Sequence, residues 1–157
     1  MSPVKRNIKT PDQIMNKLVP SVENALLEGL LFIERKVVEY FNKNNINVSG
    51  YLRNSITSEV RREAERILGI VGTNLKYAIY VHQGTRPHWP PVKPIKKWVM
   101  RKLGIRGADV PKVTFLVRRK ISKEGTKAKP FFTFVFNQYQ NRIAQIVASR
   151  LKMQLGT

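Results

Sequence analysis

The chain has 157 residues, of which 42% are hydrophobic and 9% aromatic, a composition typical of a globular protein with its own core. It holds 29 lysines and arginines against 10 carboxylates, a net charge of +19, and no cysteine. The lack of cysteine excludes disulfides, thiol nucleophiles and cysteine–zinc sites.

The positive charge is concentrated in the second part of the chain. Residues 1–65 carry 10 basic and 8 acidic residues, whereas residues 66–157 carry 19 basic residues against only Asp109 and Glu124. This asymmetry predicts a polyanionic or acidic partner, with DNA, RNA and an acidic protein surface as alternatives. The competing interpretation is a solvated basic face that keeps the protein soluble.

The first predicted element is a long helix with Thr10 as N-cap and Pro11 at its first position. Its apolar residues recur at steps of three and four, which predicts one buried stripe. We expect Pro20 to kink or divide this helix. The stripe comprises Ile14, Leu18, Val22, Ala25/Leu26, Leu30, Ile33, Val37 and Phe41, and the helix is expected to end in the polar stretch "NKNNINVSG".

A hairpin follows the first helix. Residues 54–60 ("NSITSEV") and 66–72 ("RILGIVG") are β-like and predict two antiparallel strands. Gly69 and Gly72 indicate bulges or a close approach of the backbone. Residues 77–82 are too few to distinguish a short helix from a third strand.

Three helices complete the pattern. One begins at Pro94 and has Ile95, Trp98, Val99 and Leu103 on one side. The second is expected to have Asp109 as cap and Gly125 as stop, and the third runs from about residue 131 to 155. The stripe of the last comprises Phe132, Val135/Phe136, Tyr139, Ile143, Ile146/Val147 and Leu151.

The predicted fold class is therefore α+β. Long N-terminal and C-terminal helices pack on a small antiparallel sheet, with short helices between them. We expect one domain spanning residues 1–157, with residues 1–9 as a flexible arm. The start "MSPVKRNIKTPDQ" lacks an apolar core and "ALLEGLLFI" is short, so we expect an intracellular, soluble protein without a membrane span.

Catalytic and metal chemistry find little support. His82 and His88 are the two histidines and have no cysteine or carboxylate nearby in sequence, which argues against a metal site. No nucleophile elbow, two-metal carboxylate cluster or phosphate-binding loop is present. We expect a protein that is not an enzyme and that uses no cofactor.

A short internal echo marks two corners of the chain. "GTRPHW" begins at Gly84 and "GTKAKPFF" begins at Gly125, and both read Gly-Thr-basic followed by a proline and an aromatic residue. Glycine permits backbone angles that a side chain forbids. The prolines of "RPHWPPVKP" are also compatible with a polyproline-binding partner, but a stiff connector explains them better.

Four blocks of the chain together resemble the small tail-component or tail-completion proteins of long-tailed, lambdoid-type bacteriophages. They are "GYLRNSI" (50–56), "YAIYVHQGTRPHWPP" (77–91), "IKKWVMRKLG" (95–104) and "ISKEGTKAKPFF" (121–132). The resemblance implies a non-enzymatic structural protein of the virion neck. Such a minor tail protein completes the tail and joins it to the DNA-filled head, and is present in the host cytoplasm during assembly.

The resemblance also implies partners, and residue types and charge indicate where these partners would bind. A homo-oligomeric ring, of six copies, would contact terminator, stopper and tail-tube proteins and passing double-stranded DNA, but no membrane. The expected subunit or partner interface comprises Gly84, Thr85, Arg86, Trp89, Gly125, Thr126, Lys127, Pro130 and Phe131. The expected contacts with DNA or an acidic partner are Lys93, Lys96, Lys97, Arg101, Lys102, Arg118 and Arg119.

Some alternatives remain open at this point. Trp89, Phe131 and Phe132 are either interface anchors or parts of the core. The chain could be the tail terminator of the same virion region. A non-specific cytoplasmic nucleic-acid-binding protein is the competing class, which predicts salt-sensitive binding.

Overall fold

The structure, a computed structural model, describes residues 10–46 and 50–155. It confirms the α+β class, with 66% helix and one two-stranded antiparallel sheet in the described residues. The predicted flexible arm lies outside these ranges. The elements are α1 (Pro11–Lys43), α2 (Tyr51–Asn54), β1 (Ile56–Arg62), β2 (Ile67–Thr73), α3 (Ala78–Gln83), α4 (Val92–Lys102), α5 (Asp109–Glu124) and α6 (Phe131–Leu155).

Helix α1 begins as the sequence predicts. The N–H of Gln13 donates to Thr10 Oγ1 at 3.4 Å, and the N–H of Thr10 donates to Gln13 Oε1 at 3.0 Å, a reciprocal capping box. Pro20 lies inside the helix, which continues across it, so of the two predicted effects Pro20 does not divide the helix, and a kink there stays a prediction. The helix ends where Asn45 adopts a positive φ of 50° and the N–H of Ile46 donates to Phe41 O at 3.1 Å.

The described residues group into two compact units. The first contains residues 10–35, 58–71 and 138–155, and the second contains residues 36–46, 50–57 and 72–137. Helices α1 and α6 and both strands each contribute residues to both units. The expectation that residues 1–157 form one domain stays a prediction.

In the first unit, side chains of α1 and α6 pack closely against two glycines. A Cβ on Gly29 of α1 would lie 3.0 Å from Ile143 Cγ2 of α6, and one on Gly69 of β2 would lie 2.9 Å from Leu30 Cδ2. The close approach predicted at Gly69 is therefore confirmed, while Gly72 faces open space. The stripe predicted for α1 is largely buried from Ala25 onward. Ile14, its first residue, is exposed because it precedes the part of the helix that other residues cover.

The second unit has an aromatic core. Phe41 of α1 and Phe131 of α6 are buried against each other, with ring centroids 4.7 Å apart. Val37, Val99 and Val135 are the other large side chains that are fully buried. Residues 78–83 form a helix, which settles the ambiguity of that segment.

Two helix starts differ from the predictions. Asp109 is the first residue of α5 and does not cap it, because Ala108 holds the N-cap position and no side chain caps the end. Helix α4 begins at Val92, two residues before Pro94. A proline is tolerated there because the N–H groups of the first turn have no partner within the helix.

Among the described residues, no helix combines the length and apolar character needed to cross a bilayer.

Candidate interaction surface

The two echoed corners meet in the second unit. Thr85 and Thr126 form an isolated antiparallel bridge, in which each N–H donates to the carbonyl oxygen of the other residue at 3.1 Å. The two hydroxyl oxygens lie 3.0 Å apart, and the Thr126 N–H also approaches Thr85 Oγ1 at 3.1 Å. The repeated Gly-Thr pattern therefore corresponds to one paired structure.

Each corner is also bonded to the helix that ends at the opposite glycine. Four residues after Gly84, the N–H of His88 donates to Ile121 O in the last turn of α5 at 3.4 Å. Four residues after Gly125, the N–H of Lys129 donates to Val81 O in α3 at 3.0 Å. We call this reciprocal arrangement of residues 84–88 and 125–129 the crossed corner.

Glycine is required at both positions by two independent constraints. Gly84 and Gly125 have φ values of 74° and 72°, a region that L side chains rarely adopt. A Cβ on Gly84 would lie 2.8 Å from Ala128 N, and one on Gly125 would lie 2.9 Å from Arg86 C. Any larger residue would therefore push the two backbones apart.

Trp89 projects from the crossed corner and is held by α5. Its side chain is 55% exposed, the Phe115 ring lies 6.2 Å away, and the Arg118 guanidinium stands 5.2 Å from the indole centroid. Arg118 Nε also donates to Pro90 O at 2.8 Å. The indole is consequently fixed in direction although more than half of it is open to solvent.

We expect Arg118→Ala to lower the free energy of unfolding by about 2 kcal/mol, because it removes a charged hydrogen bond and the stacking on Trp89. Urea denaturation followed by circular dichroism would measure this. Arg119→Ala removes the same charge at an exposed position and should cost less than about 0.5 kcal/mol. Equal losses for the two variants would contradict the role given to Arg118.

The predicted basic contacts are distributed over α4 and α5. Lys93, Lys96, Lys97, Arg101 and Lys102 are all exposed, and in the described ranges none of them takes part in an ion pair. Arg118 is partly buried and its Nε is already donated to Pro90, whereas Arg119 is exposed. We name the five exposed cations of α4 the basic face.

The predicted interface residues divide into three groups. Thr85 and Thr126, which follow Gly84 and Gly125, are hydrogen-bonded to each other. Arg86, Lys127 and Pro130 are exposed. Phe131 is 1% exposed and forms part of the core, the alternative raised for it from the sequence. Phe132 is partly buried, and Trp89 is the aromatic residue of the three that solvent reaches most.

The histidines contact protein groups. His82 Nε2 lies 3.2 Å from Thr133 Oγ1 with its ring edge-on to Phe131, and His88 Nδ1 lies 2.9 Å from Arg86 O. Over the described part of the chain, no group of three or more histidine, cysteine or carboxylate side chains is placed to hold a metal ion.

Comparison with known proteins adds no relative. No family model matches the chain, and neither does any curated protein or solved structure.

Sequence reasoning missed the pairing of the two corners. The signal is the echo of "GTRPHW" and "GTKAKPFF", which marks two corners of the chain without relating them in space.

Proposed function

We propose that this protein is a non-enzymatic structural component of the neck of a long-tailed bacteriophage. It completes the tail and joins it to the DNA-filled head as a ring of six copies around the DNA path. The tail terminator of the same region is the nearest alternative. The protein is present in the host cytoplasm during assembly and in the virion afterwards.

The crossed corner is the observation that supports the proposal most directly. Two of the four blocks that carry the resemblance, residues 77–91 and 121–132, are joined by the Thr85–Thr126 bridge. The motif residues thus hold one another in place and present Trp89 in a fixed direction. A rigid, exposed aromatic side chain flanked by arginine is the residue type that anchors protein interfaces.

A ring requires heterologous contacts that close around an axis. Stable contacts of this kind bury about 1,000 Å² or more in each pair of subunits. Trp89, together with the 53% exposed Phe115 beside it, supplies an apolar centre for such a contact.

The basic face is assigned to acidic neck and tail proteins above and below the ring. A lumen lined uniformly with cations would hold DNA and slow its ejection, which favours protein partners for these residues. Charge complementarity across such contacts sets both the partner and the register.

Reversing three charges of the basic face, Lys93→Glu, Lys97→Glu and Arg101→Glu, should reduce head–tail joining at least about tenfold, because like charges across an interface cost several kcal/mol. Electron microscopy of lysates would count unjoined heads and tails, and mass spectrometry of purified particles would detect the protein. Lys112→Glu, Lys123→Glu and Lys152→Glu provide a control with the same charge change outside the basic face.

Three outcomes would contradict the proposal. Normal joining with altered DNA retention would show that the basic face meets DNA. Absence of the protein from mature particles would exclude a neck component. Micromolar, steeply salt-dependent DNA binding by the purified protein, combined with that absence, would instead identify a free nucleic-acid-binding protein.

A further inference from the structure

A groove of about 1010 Å³ opens beside the crossed corner in the second unit. Its volume is at the upper end of the range for small-ligand pockets, so it has room for a short peptide segment. Part of its wall is apolar and partly or fully buried, formed by Val81, Pro90, Ile95, Trp98 and Ile121. Tyr80 borders it with 61% of its side chain exposed.

All the arginine, lysine, aspartate and glutamate side chains that line the groove are positively charged ones. Arg86, Lys102, Lys127 and Lys129 are exposed, and the described lining residues include no aspartate or glutamate. Within the described ranges none of the four cations forms an ion pair. Four cations and an apolar wall complement an occupant that carries carboxylates and an apolar side chain.

The chain itself has few carboxylates to offer to this groove. The second unit holds 18 lysines and arginines against three carboxylates, and most carboxylates of the chain already lie within 4.0 Å of a lysine or arginine. A second copy is therefore a poor source of the occupant. Carboxylates within 4.0 Å of a lysine or arginine are Glu23, Glu28, Glu39, Glu59, Glu63 and Glu124.

We infer that this groove binds a short acidic segment of a different protein, with the segment's carboxylates against Lys102, Lys127 and Lys129 and one of its apolar side chains between Pro90, Ile95 and Trp98. The apolar wall favours a peptide over a nucleotide chain, because proline and isoleucine side chains offer phosphate no hydrogen-bond donor. The inference rests on the proposed function only for where the segment comes from, namely a neighbouring neck or tail protein.

Fluorescence anisotropy with a labelled peptide of alternating glutamate and leucine tests this on the purified full chain. Lys127→Glu combined with Lys129→Glu should weaken binding about tenfold, through loss of two attractions and gain of two repulsions. Tyr80→Ala removes exposed apolar wall and should weaken binding about fivefold without affecting the core. Polyglutamate of the same charge should bind at least about fivefold less tightly than the peptide, because it lacks the apolar side chain.

A matched control is Lys112→Glu combined with Lys123→Glu, which changes the net charge equally at exposed residues outside both the groove lining and the basic face, and should alter affinity less than about twofold. The inference is overturned if this control weakens binding as much, if polyglutamate binds equally well, or if no binding occurs. It is also overturned if oligothymidine of equal charge competes more strongly than the peptide. Peptide binding by a protein that is absent from particles would reject the proposed function and leave the groove assignment standing.

Discussion

Gly125→Ala is expected to lower the free energy of unfolding by about 4 kcal/mol, one of the largest effects of any single substitution in this chain. The new methyl group would meet the backbone of Thr85 and Arg86 across the crossed corner, and neither can move as a flexible side chain would. The positive φ of 72° adds strain of its own. Urea denaturation followed by circular dichroism measures the loss.

Gly107→Ala separates these two causes. Gly107 also has a positive φ, of 66°, but a Cβ there would meet nothing within 4 Å. Its substitution should therefore cost only the backbone strain, about 1 to 2 kcal/mol. If Gly125→Ala costs no more than Gly107→Ala, the close approach of the two corners is not a determinant of stability.

Phe131→Ala is expected to cost about 3 to 5 kcal/mol, the usual range for removing a buried phenylalanine. The ring is 1% exposed and lies 4.7 Å from the Phe41 ring and 4.9 Å from the His82 ring, so truncation leaves a cavity among side chains of three helices. Thermal or urea unfolding of the purified variant gives the value.

Phe136→Ala serves as the matched control one and a half turns further along α6. Its side chain is 54% exposed, so the same truncation should change stability by about 0.5 kcal/mol or less. A large loss at Phe136 with little at Phe131 would mean that the opposite face of α6 is covered, which would contradict the core described for the second unit.

The sequence predicted the elements well where a periodic pattern is long. Helix α1 and helix α6 each extend over more than six turns, so several apolar steps of three and four agree with one another. The strands were located within two residues because β-branched residues and a charged turn mark them. Short segments carry less information, and residues 78–83 were resolved as a helix only by the structure.

Residues near helix ends were harder to predict, for physical reasons. Asp109 is a good N-cap residue by propensity, yet Ala108 holds the N-cap position of α5. The Asp109 carboxylate lies in the first turn, where it still interacts favourably with the positive end of the helix dipole. Pro20 removes one hydrogen bond without ending α1, because packing along the rest of the helix outweighs that local cost. Such outcomes depend on tertiary contacts that a sequence window does not contain.

The candidate surface could be predicted residue by residue but not in its arrangement. Gly84, Trp89 and Gly125 were singled out by type, whereas the pairing of Thr85 with Thr126 joins positions 41 residues apart. The stripe predicted for the last helix contains Phe132, whereas Phe131 is the fully buried residue and Phe132 is partly buried, since adjacent phenylalanines at a helix start fit either face. The groove went unnoticed because its lining comes from separate segments between residues 45 and 129.

Because Thr85 and Thr126 are paired in the crossed corner, the segment of chain between them begins and ends at the same place. Helices α4 and α5 and the exposed turn at Gly104 and Gly107 belong to a closed loop whose length does not affect the spacing of its two ends. Additions at that turn should be absorbed locally, as they are in other surface loops with anchored bases. The turn is consequently a suitable position for grafting a tag.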